Sequence, residues 1–319
     1  MSVVTGNAVQ TDIFRNIKCL VCQNDNPERF AIRYHKKNCD VVECLNCSFH
    51  FIPPYYREKI DYKNYKSSDV TREIKKSDPW IKIQRNLLRY QLIRRYKRSG
   101  KIYDVGAGFG HFMLTGQQLG FKVTGIELSK ANVDFARNEL NLPVKFGDFL
   151  AEDESQKYDI ITFWDVLEHI DEAEQVILKA KRLLKSDGYI FLQVPQWNSF
   201  FQRLTRDKWW AMGLDHVNYF SRRTITRLLT THGFEVRTIK PSIELKNIYT
   251  YVILPKLKRK KKAASSWTAA ERQQAFNKMT KRPRWLLWMF VKIHNLAYKT
   301  CAFLQLDDEM IVVARRSQF

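Results

Sequence analysis

From Lys101 onwards, short apolar segments alternate with segments of helical periodicity, and this alternation restricts the fold more than any other feature of the sequence. The predicted strands are KIYDV, FKVTGIE, PVKF, YDIITFW, GYIFLQVP and FEVRTI, followed near the end of the chain by EMIVVARR. Helices are predicted over 110–119, 129–141, 172–185 and 221–232. Strands that alternate with helices join through right-handed crossovers, so the pattern predicts a doubly wound, mostly parallel α/β sheet.

The first of these strands runs into a glycine-rich turn, DVGAGFG, which has glycine at Gly106, Gly108 and Gly110. Glycine at a strand-to-helix turn lets a ligand approach the backbone closely. The dinucleotide-binding pattern G-x-G-x-x-G needs a further glycine at position 111, where this chain has His111. The turn therefore disfavours a pyrophosphate ligand, although a dinucleotide-binding domain stays open as an alternative.

Acidic side chains stand near the ends of the first three predicted strands. Asp104 precedes the glycine turn, Glu127 ends the second strand, and Asp148 and Phe149 follow the third. A carboxylate such as Glu127 accepts hydrogen bonds from both hydroxyls of a ribose, and an aspartate beside an aromatic ring suits an adenine. The fourth strand ends in FWDVLEHI. Ligands of open α/β sheets bind at the carboxyl ends of the strands, so these signals predict one shared crevice.

Over roughly residues 100–240 and the last strand, the chain resembles the class I S-adenosylmethionine-dependent methyltransferases. The matching segments are DVGAGFG, GIELS, GDF and DVLEHI, in the family order and at similar spacing. The resemblance implies a Rossmann-like, seven-stranded sheet whose last strand is antiparallel, an enzymatic activity, and S-adenosylmethionine as cofactor. The cofactor-binding residues that it implies are Asp104, Gly106, Ala107, Gly108, Gly110, Glu127, Leu128, Asp148, Phe149 and Trp164.

Three residues are catalytic candidates. Asp165 is expected beside the site of methyl transfer, where it positions an acceptor or contacts the amino group of the cofactor. A sulfonium methyl group is already activated, so the enzyme mainly aligns the reactants, and a general base is needed only for a weakly acidic acceptor. His169 and His216 are the candidate bases. A structural role for either histidine stays open.

Four cysteines near the start of the chain form two C-x-x-C pairs, Cys19 with Cys22 and Cys44 with Cys47. Two such pairs on tight turns close a tetrahedron around zinc, and a short intervening segment suits a hairpin ribbon. The pattern predicts a small ribbon over residues 14–54 that binds structural Zn²⁺. Cys39 is a less favoured substitute ligand, and four unligated thiols are the alternative.

Positive charge is concentrated on either side of the predicted sheet. Of the net charge of +21, an excess of +10 lies in residues 57–101 and +12 in 254–299, while 102–253 is nearly neutral. The first segment belongs to a predicted basic helical linker over 55–99. The second belongs to a predicted basic amphipathic helical insertion over 244–304, which divides the methyltransferase core into residues 100–243 and 305–316.

Within that insertion, six of the seven residues 256–262 are basic, and an aromatic amphipathic helix follows. This combination is typical of a protein that lies on an anionic membrane surface, here through residues 256–300, although a helix packed on the sheet or on a partner subunit fits equally well. The start of the chain has no pattern typical of a signal peptide, and WLLWMFV is too short to cross a bilayer. A cytoplasmic location is expected, with peripheral attachment at the inner membrane face as an option.

The cysteine-rich start and the segment HVNYFS also resemble a bacterial subgroup of these methyltransferases that is associated with glycans of the cell envelope. That resemblance implies His216, Tyr219 and Phe220 at the active site and a sugar, polysaccharide or lipid-linked small molecule as acceptor. An RNA methyltransferase acting on rRNA or tRNA with a zinc module is the alternative, which the neutral central region disfavours. A ribbon scaffold that binds the cofactor without turnover is the third hypothesis.

Overall fold

The computed structural model describes residues 14–36, 38–56, 79–213, 215–242 and 307–317, together with the helical positions 296, 300 and 303. The strands in these ranges are β1 (Phe30–His35), β2 (Asp40–Cys44), β3 (Phe49–Phe51), β4 (Lys101–Val105), β5 (Lys122–Glu127), β6 (Val144–Phe146), β7 (Tyr158–Trp164), β8 (Leu184–Pro195), β9 (Asn218–Tyr219), β10 (Phe234–Ser242) and β11 (Glu309–Arg316). The helices are α1 (Pro79–Ile93), α2 (His111–Gln118), α3 (Lys130–Leu140), α4 (Ala173–Leu183), α5 (Phe200–Thr205) and α6 (Arg222–Thr231).

Seven of the strands form one sheet in the order β10-β11-β8-β7-β4-β5-β6. The pairs β8/β7, β7/β4, β4/β5 and β5/β6 are parallel, whereas β11 is antiparallel to both of its neighbours. The predicted doubly wound, Rossmann-like methyltransferase sheet with an antiparallel last strand is therefore confirmed. Since β11 runs against β8, its first residues lie at the edge of the sheet where the parallel strands end.

The central strands are apolar because helices cover both faces of the sheet. Ile160, Ile161 and Phe163 of β7 are fully buried, and the neighbours Ile160 and Ile161 belong to different core clusters. Helix α4 packs on one face through residues spaced at three to four positions, among them Val176 and Ala180. The alternation of apolar strands and amphipathic helices thus builds two cores that hold the strand ends in fixed positions.

The three N-terminal strands form a second sheet, in the order β1-β2-β3-β9, whose fourth strand comes from the far end of the methyltransferase region. His50 and Phe51 of β3 pair with Tyr219 and Asn218 of β9. The sequence predicts a small ribbon over residues 14–54. In the structure, backbone hydrogen bonds join the described part of this segment to the larger domain.

Helix α1 is shorter than the amphipathic pattern indicates. The pattern predicts a helix that is closed by Gly100, whereas α1 ends at Ile93 and a turn follows. Gly100 has a φ of 144°, and a Cβ atom there would lie 2.9 Å from the Cβ atom of Asp159, so glycine is needed for the entry into β4. Residues 57–78 of the predicted linker, and the predicted insertion apart from 296, 300 and 303, lie outside the described residues. Within the described ranges, no helix has the length and apolar character needed to span a membrane.

Candidate active site

The three glycines of the turn after β4 all have positive φ values, which favour glycine. A Cβ atom on Gly106 would lie 2.6 Å from Val166, and one on Gly110 would lie 2.3 Å from Leu142, so packing requires both glycines. A Cβ atom on Gly108 would meet no atom of the described residues within 4 Å. The backbone at Gly108 therefore borders open space, as expected for a turn that a ligand approaches.

The carboxylate of Glu127 ties the end of β5 to this turn. One of its oxygens accepts a hydrogen bond from the amide of Gly108 and the other from the amide of Ser129, each at 2.8 Å. Ser129 also caps helix α3 through the amide of Asn132. Burial raises the pKa of Glu127, and the two backbone amides oppose that shift. The acid and the glycine turn, which the sequence analysis placed in one crevice, are in direct contact.

Asp104, the last polar residue before the turn, is almost fully buried. Its carboxylate accepts a hydrogen bond of 2.6 Å from the hydroxyl of Thr162 on β7. Burial raises the pKa of Asp104 to about 7, although Thr162 and the guanidinium of Arg89 act in the opposite direction. This carboxyl group therefore titrates near neutral pH.

After β6, the side chain of Asp148 is exposed and that of Phe149 is buried. Asp148 is exposed and accepts a hydrogen bond from the amide of Leu150, at the start of a short turn of 3₁₀ helix. Phe149 is 5% exposed and packs in the core against Tyr103 and Phe163. The structure thus leaves the Asp148 side chain open at the edge of the sheet, while the Phe149 ring contacts the core.

Asp165, directly after β7, is held by two arginines of helix α1 and has a left-handed backbone with φ of 60°. Its carboxylate accepts hydrogen bonds from Arg85 at 2.7 Å and from Arg89 at 3.3 Å. Arg89 also donates to Gln193 at 3.0 Å and lies over the ring of Trp164 at 4.2 Å. Asp165 is therefore a paired carboxylate in a fixed orientation, which suits it to positioning a polar group.

The sequence analysis did not identify Arg85 and Arg89 as site residues. Their spacing of four residues places both on one side of α1, but it does not reveal which residue they face. Burial lowers the pKa of Arg89 to about 9, and the nearby carboxylates of Asp165 and Asp104 offset part of this decrease. The only signal in the sequence was the basic character of this helix, and that is also typical of a solvated surface.

His169 and His216 lie together, although 46 residues separate them in the chain. Their ring centroids are 4.6 Å apart. The Nδ1 atom of His169 lies 2.5 Å from the carbonyl oxygen of Asp215, and that of His216 lies 2.8 Å from the carbonyl oxygen of Ala211. A carbonyl oxygen only accepts, so each Nδ1 carries the proton and each neutral ring keeps its Nε2 as a base.

Glu168 completes this group. Glu168 is 1% exposed, and one of its carboxylate oxygens has no hydrogen-bond partner among the described residues. A carboxylate oxygen of Glu168 lies within 4.8 Å of a ring nitrogen of each histidine. Burial raises the pKa of Glu168 well above its usual value. Burial and the neighbouring His216 lower the pKa of His169. The lowered pKa favours the neutral form of His169, the form that a general base requires.

Tyr219 and Phe220 are fully buried. The Tyr219 hydroxyl donates to the carbonyl of Gly213, and the Phe220 ring packs on Phe49 of the N-terminal sheet. The expectation that these two rings line the active site is therefore wrong. They support the segment that carries His216, because they form the junction between the two sheets.

The four cysteines of the two C-x-x-C pairs converge at one place. Their Sγ atoms lie within 4.8 Å of one another, with 3.5 Å between Cys19 and Cys47 and 3.6 Å between Cys22 and Cys44. Zinc–sulfur bonds of about 2.3 Å in a tetrahedron place sulfur atoms about 3.8 Å apart, so the observed spacing fits zinc. Hydrogen bonds from Cys19 and Cys47 lower the pKa of Cys44. Cys39 is buried outside this group.

Comparisons with known proteins find similarity to methyltransferases. Residues 81–239 match a family model described as a methyltransferase domain. Two curated relatives are ubiquinone biosynthesis O-methyltransferases, from Glaesserella parasuis serovar 5 (strain SH0165) and Nitrosococcus oceani. The first is 35% identical over 103 residues, which cover 29% of this chain and 44% of the relative. The second is 36% identical over 115 residues, which cover 33% and 49%. The chain thus spans about half the length of the curated relatives it matches.

Two solved structures are also similar. One is the magnesium protoporphyrin IX methyltransferase of Synechocystis PCC 6803, with a TM-score of 0.49 and 14% identity over 81% of this chain and 97% of the other. The other is a methyltransferase from Archaeoglobus fulgidus, with a TM-score of 0.47 and 14% identity over 80% and 97%. Residues 81–239, which match the methyltransferase domain, carry the glycine turn and most strands of the Rossmann-like methyltransferase sheet. The strand β11, which completes this sheet beside β8, lies beyond the matched region.

Proposed function

We propose that this protein transfers a methyl group from S-adenosylmethionine to a hydroxyl group of a small-molecule acceptor. The observation that carries the proposal is the pair His169 and His216, whose rings are in contact and whose Nδ1 atoms both face backbone carbonyl oxygens. A hydroxyl acceptor has to lose a proton, and a neutral imidazole with a free Nε2 is suited to take it. The named activity of the curated relatives, an O-methyltransferase, also supports this choice.

The residues at the carboxyl ends of β4 and β5 fit the cofactor. Gly108 borders open space, Glu127 stands beside it with a carboxylate, and Asp148 is exposed at the end of β6. We assign the hydroxyl groups of the ribose to Glu127 and the adenine to Asp148. When bound, S-adenosylmethionine supplies an electrophilic methyl group on a sulfonium centre. The role of the chain is then to orient the acceptor, to exclude water and to accept the proton that the acceptor hydroxyl loses.

Asp165 and the two histidines take different roles in this proposal. Asp165 orients polar groups of the acceptor or cofactor, because its hydrogen bonds from Arg85 and Arg89 fix the position of its carboxylate. One histidine accepts the proton at Nε2, and its Nδ1 hydrogen bond to a backbone carbonyl fixes the ring. The two rings are in contact, and the neighbouring His216 contributes to the lowered pKa of His169.

The cysteine cluster is part of the same proposal as a structural zinc site with ligands Cys19, Cys22, Cys44 and Cys47. Strand β3 begins two residues after the ligand Cys47 and pairs with β9. Strand β9 begins two residues after His216. The amide of Ile52 donates to the carbonyl of Val217. Zinc therefore stabilises the sheet that holds the catalytic segment, and it supplies no chemistry to the reaction.

The finer identity of the acceptor as a sugar, polysaccharide or lipid-linked molecule rests on the sequence resemblance. The test is transfer of labelled methyl groups to cell extracts that are separated into small molecules, envelope glycans and lipids, and RNA. Label in the small-molecule fraction, and its loss in His169→Gln and His216→Gln, is the expected result. His35→Gln is the control, because that histidine is exposed on β1. Label that accumulates in RNA alone would overturn the proposal.

The histidine variants should separate catalysis from cofactor binding. We expect kcat to fall by about 10²–10⁴ for the histidine that acts as the base. The affinity for S-adenosylmethionine should stay within about twofold of the unmodified protein, because the assigned cofactor contacts are on β4, β5 and β6. Equal activity of both histidine variants and the control would exclude a general base at this position.

A further inference from the structure

A cavity lies at the edge of the large sheet where β8 ends. Its volume is about 580 Å³, which is within the range of small-molecule sites. It is open to solvent on one side and is lined by the residues after β8, the start of α6, helix α5, the segment before β11 and the cysteine-rich turn. The lining residues are Ser48, Gln196, Trp197, Asn198, Arg203, Ser221, Arg222, Arg223 and Asp307.

The lining is strongly cationic. Arg222 donates to Gln196 and to Asp307, each at 3.0 Å, so the only acidic residue of the lining is already paired. The side chains of Arg203 and Arg223 have no hydrogen-bond or ion-pair partner among the described residues. Three arginines against one aspartate leave two positive charges in the cavity that no side chain of the described residues neutralises.

The start of helix α6 adds to this field. Ser221 is the N-cap, and its hydroxyl accepts a hydrogen bond from the amide of Thr224. The amides of Arg222 and Arg223 are the first two of the helix and have no acceptor within it. The positive end of the helix dipole therefore coincides with the unpaired guanidinium groups, and both favour an anion.

The cavity lies at the same edge of the sheet as the glycine turn. It adjoins the end of β8, and β7 is the single strand between β8 and β4. Neighbouring strands are about 4.8 Å apart, so the two strand ends are separated by about 10 Å. Asp165 and the turn of His169 follow β7, between these two positions. An acceptor that extends from the histidines over the end of β8 would thus place its far end in the cationic cavity.

We infer that this cavity binds a phosphate or diphosphate group that the methyl acceptor carries at a distance from its reacting hydroxyl. Guanidinium groups form paired hydrogen bonds to phosphate oxygens, and two unneutralised arginines match the double charge of a phosphate ester better than a single carboxylate. The inference rests on the proposed function, because it assigns the remote part of the same acceptor.

Inorganic pyrophosphate is the probe that tests this site. We expect calorimetric titration of the full chain at low salt to show binding that weakens by roughly tenfold in Arg203→Gln and in Arg223→Gln, since each loses one charge-assisted contact. Arg227→Gln is the matched control, because Arg227 is exposed on the same helix outside the cavity. That variant should bind pyrophosphate as the unmodified protein does.

Titration with S-adenosylmethionine, in the same four proteins, separates this inference from the proposed function. We expect equal cofactor affinity in all four. Cofactor binding without pyrophosphate binding would overturn the inference and leave the methyltransferase proposal intact, whereas the reverse result would overturn the proposed cofactor. Equal loss of pyrophosphate affinity in all three variants would show a general charge effect and would also overturn the site.

Vesicles that contain phosphatidic acid distinguish the source of the phosphate. If the protein binds pyrophosphate and its binding to vesicles does not depend on Arg203 and Arg223, the cavity is assigned to a small phosphorylated acceptor. Vesicle binding that requires both arginines, together with no binding of pyrophosphate, would assign it to a lipid headgroup and overturn the small-molecule assignment.

Discussion

The carboxylate of Glu127 accepts a hydrogen bond of 2.8 Å from the amide of Gly108, so an acidic side chain at the end of β5 fixes the glycine turn after β4. The second oxygen of Glu127 holds the amide of Ser129, the N-cap of α3. A single residue thus joins the turn, the strand and the following helix. The same carboxylate is the one we assign to the ribose of the cofactor.

Replacement of this carboxylate should weaken cofactor binding. In Glu127→Gln one carboxylate oxygen becomes an amide nitrogen, which cannot accept from a backbone N–H. We expect the affinity for S-adenosylmethionine to fall by about tenfold or more, from the loss of one charge-assisted hydrogen bond. Calorimetric titration measures this change. Glu139→Gln, at an exposed position of α3, is the control, and equal affinities of both variants would contradict the assignment.

A large side chain at Gly108 should abolish cofactor binding. Gly108→Arg fills the open space beside the turn, and we expect a loss of affinity of at least about 100-fold. Gly120→Arg is a matched control, because Gly120 also has a positive φ and open space around its Cβ position, but lies at the other end of α2. Unchanged affinity in Gly108→Arg would contradict the placement of the cofactor.

Cofactor affinity should rise with pH around neutrality. Burial raises the pKa of Asp104 to about 7, and a cationic cofactor favours the ionised carboxylate. We therefore expect tighter binding at pH 8 than at pH 6, measured by titration at both values. Asp104→Asn keeps an acceptor for Thr162 and should show weaker binding with a smaller dependence on pH.

The raised pKa of Asp104 also makes the stability of the protein without cofactor depend on pH. Between pH 3.8 and about 7, the folded state holds a proton on Asp104 that the unfolded state has lost. This residue therefore lowers the free energy of unfolding as the pH rises through that window. Denaturant unfolding at several pH values should show that Asp104→Asn removes this part of the pH dependence, and an identical dependence in both proteins would contradict it.

The acid limb of the pH–rate profile should report the histidine pair. Burial and the neighbouring ring lower the pKa of His169 below 6.5, so the base stays neutral and active somewhat below that pH. We expect kcat/KM for the acceptor to fall only below pH 6.5. In His216→Gln the neighbouring ring is lost, and the residual activity should show an acid limb at higher pH. A limb that does not move would contradict the coupling of the two rings.

Removal of zinc should destabilise the junction between the two sheets. We expect Cys44→Ser to lower the zinc content, measured by elemental analysis, and to lower Tm by more than about 5 °C, since metal binding supplies folding free energy. Cys39→Ser is the control, because Cys39 is buried outside the cluster. Full zinc occupancy in Cys44→Ser would contradict the assigned ligand set.

The local sequence was sufficient for the elements of the large sheet. The apolar run of β7, the amphipathic period of α4 and the glycine turn each reflect the burial of a contiguous segment, and such patterns are visible within about ten residues. The predicted strands therefore agree with the structure to within a few residues, and EMIVVARR is the antiparallel strand beside β8. The extent of α1 was predicted less well, since its end at Ile93 depends on the packing of the chain before β4.

The sequence by itself determined the class of sheet, the open glycine turn and the residue types at the strand ends, because period and spacing are local properties. Only the tertiary structure decided that Arg85 and Arg89 hold Asp165, that His169 meets His216, and that Arg203 and Arg223 share a cavity. It also buried Tyr219 and Phe220 at the junction with the N-terminal strands. These contacts join residues far apart in the chain, and no short-range pattern records which surfaces will meet.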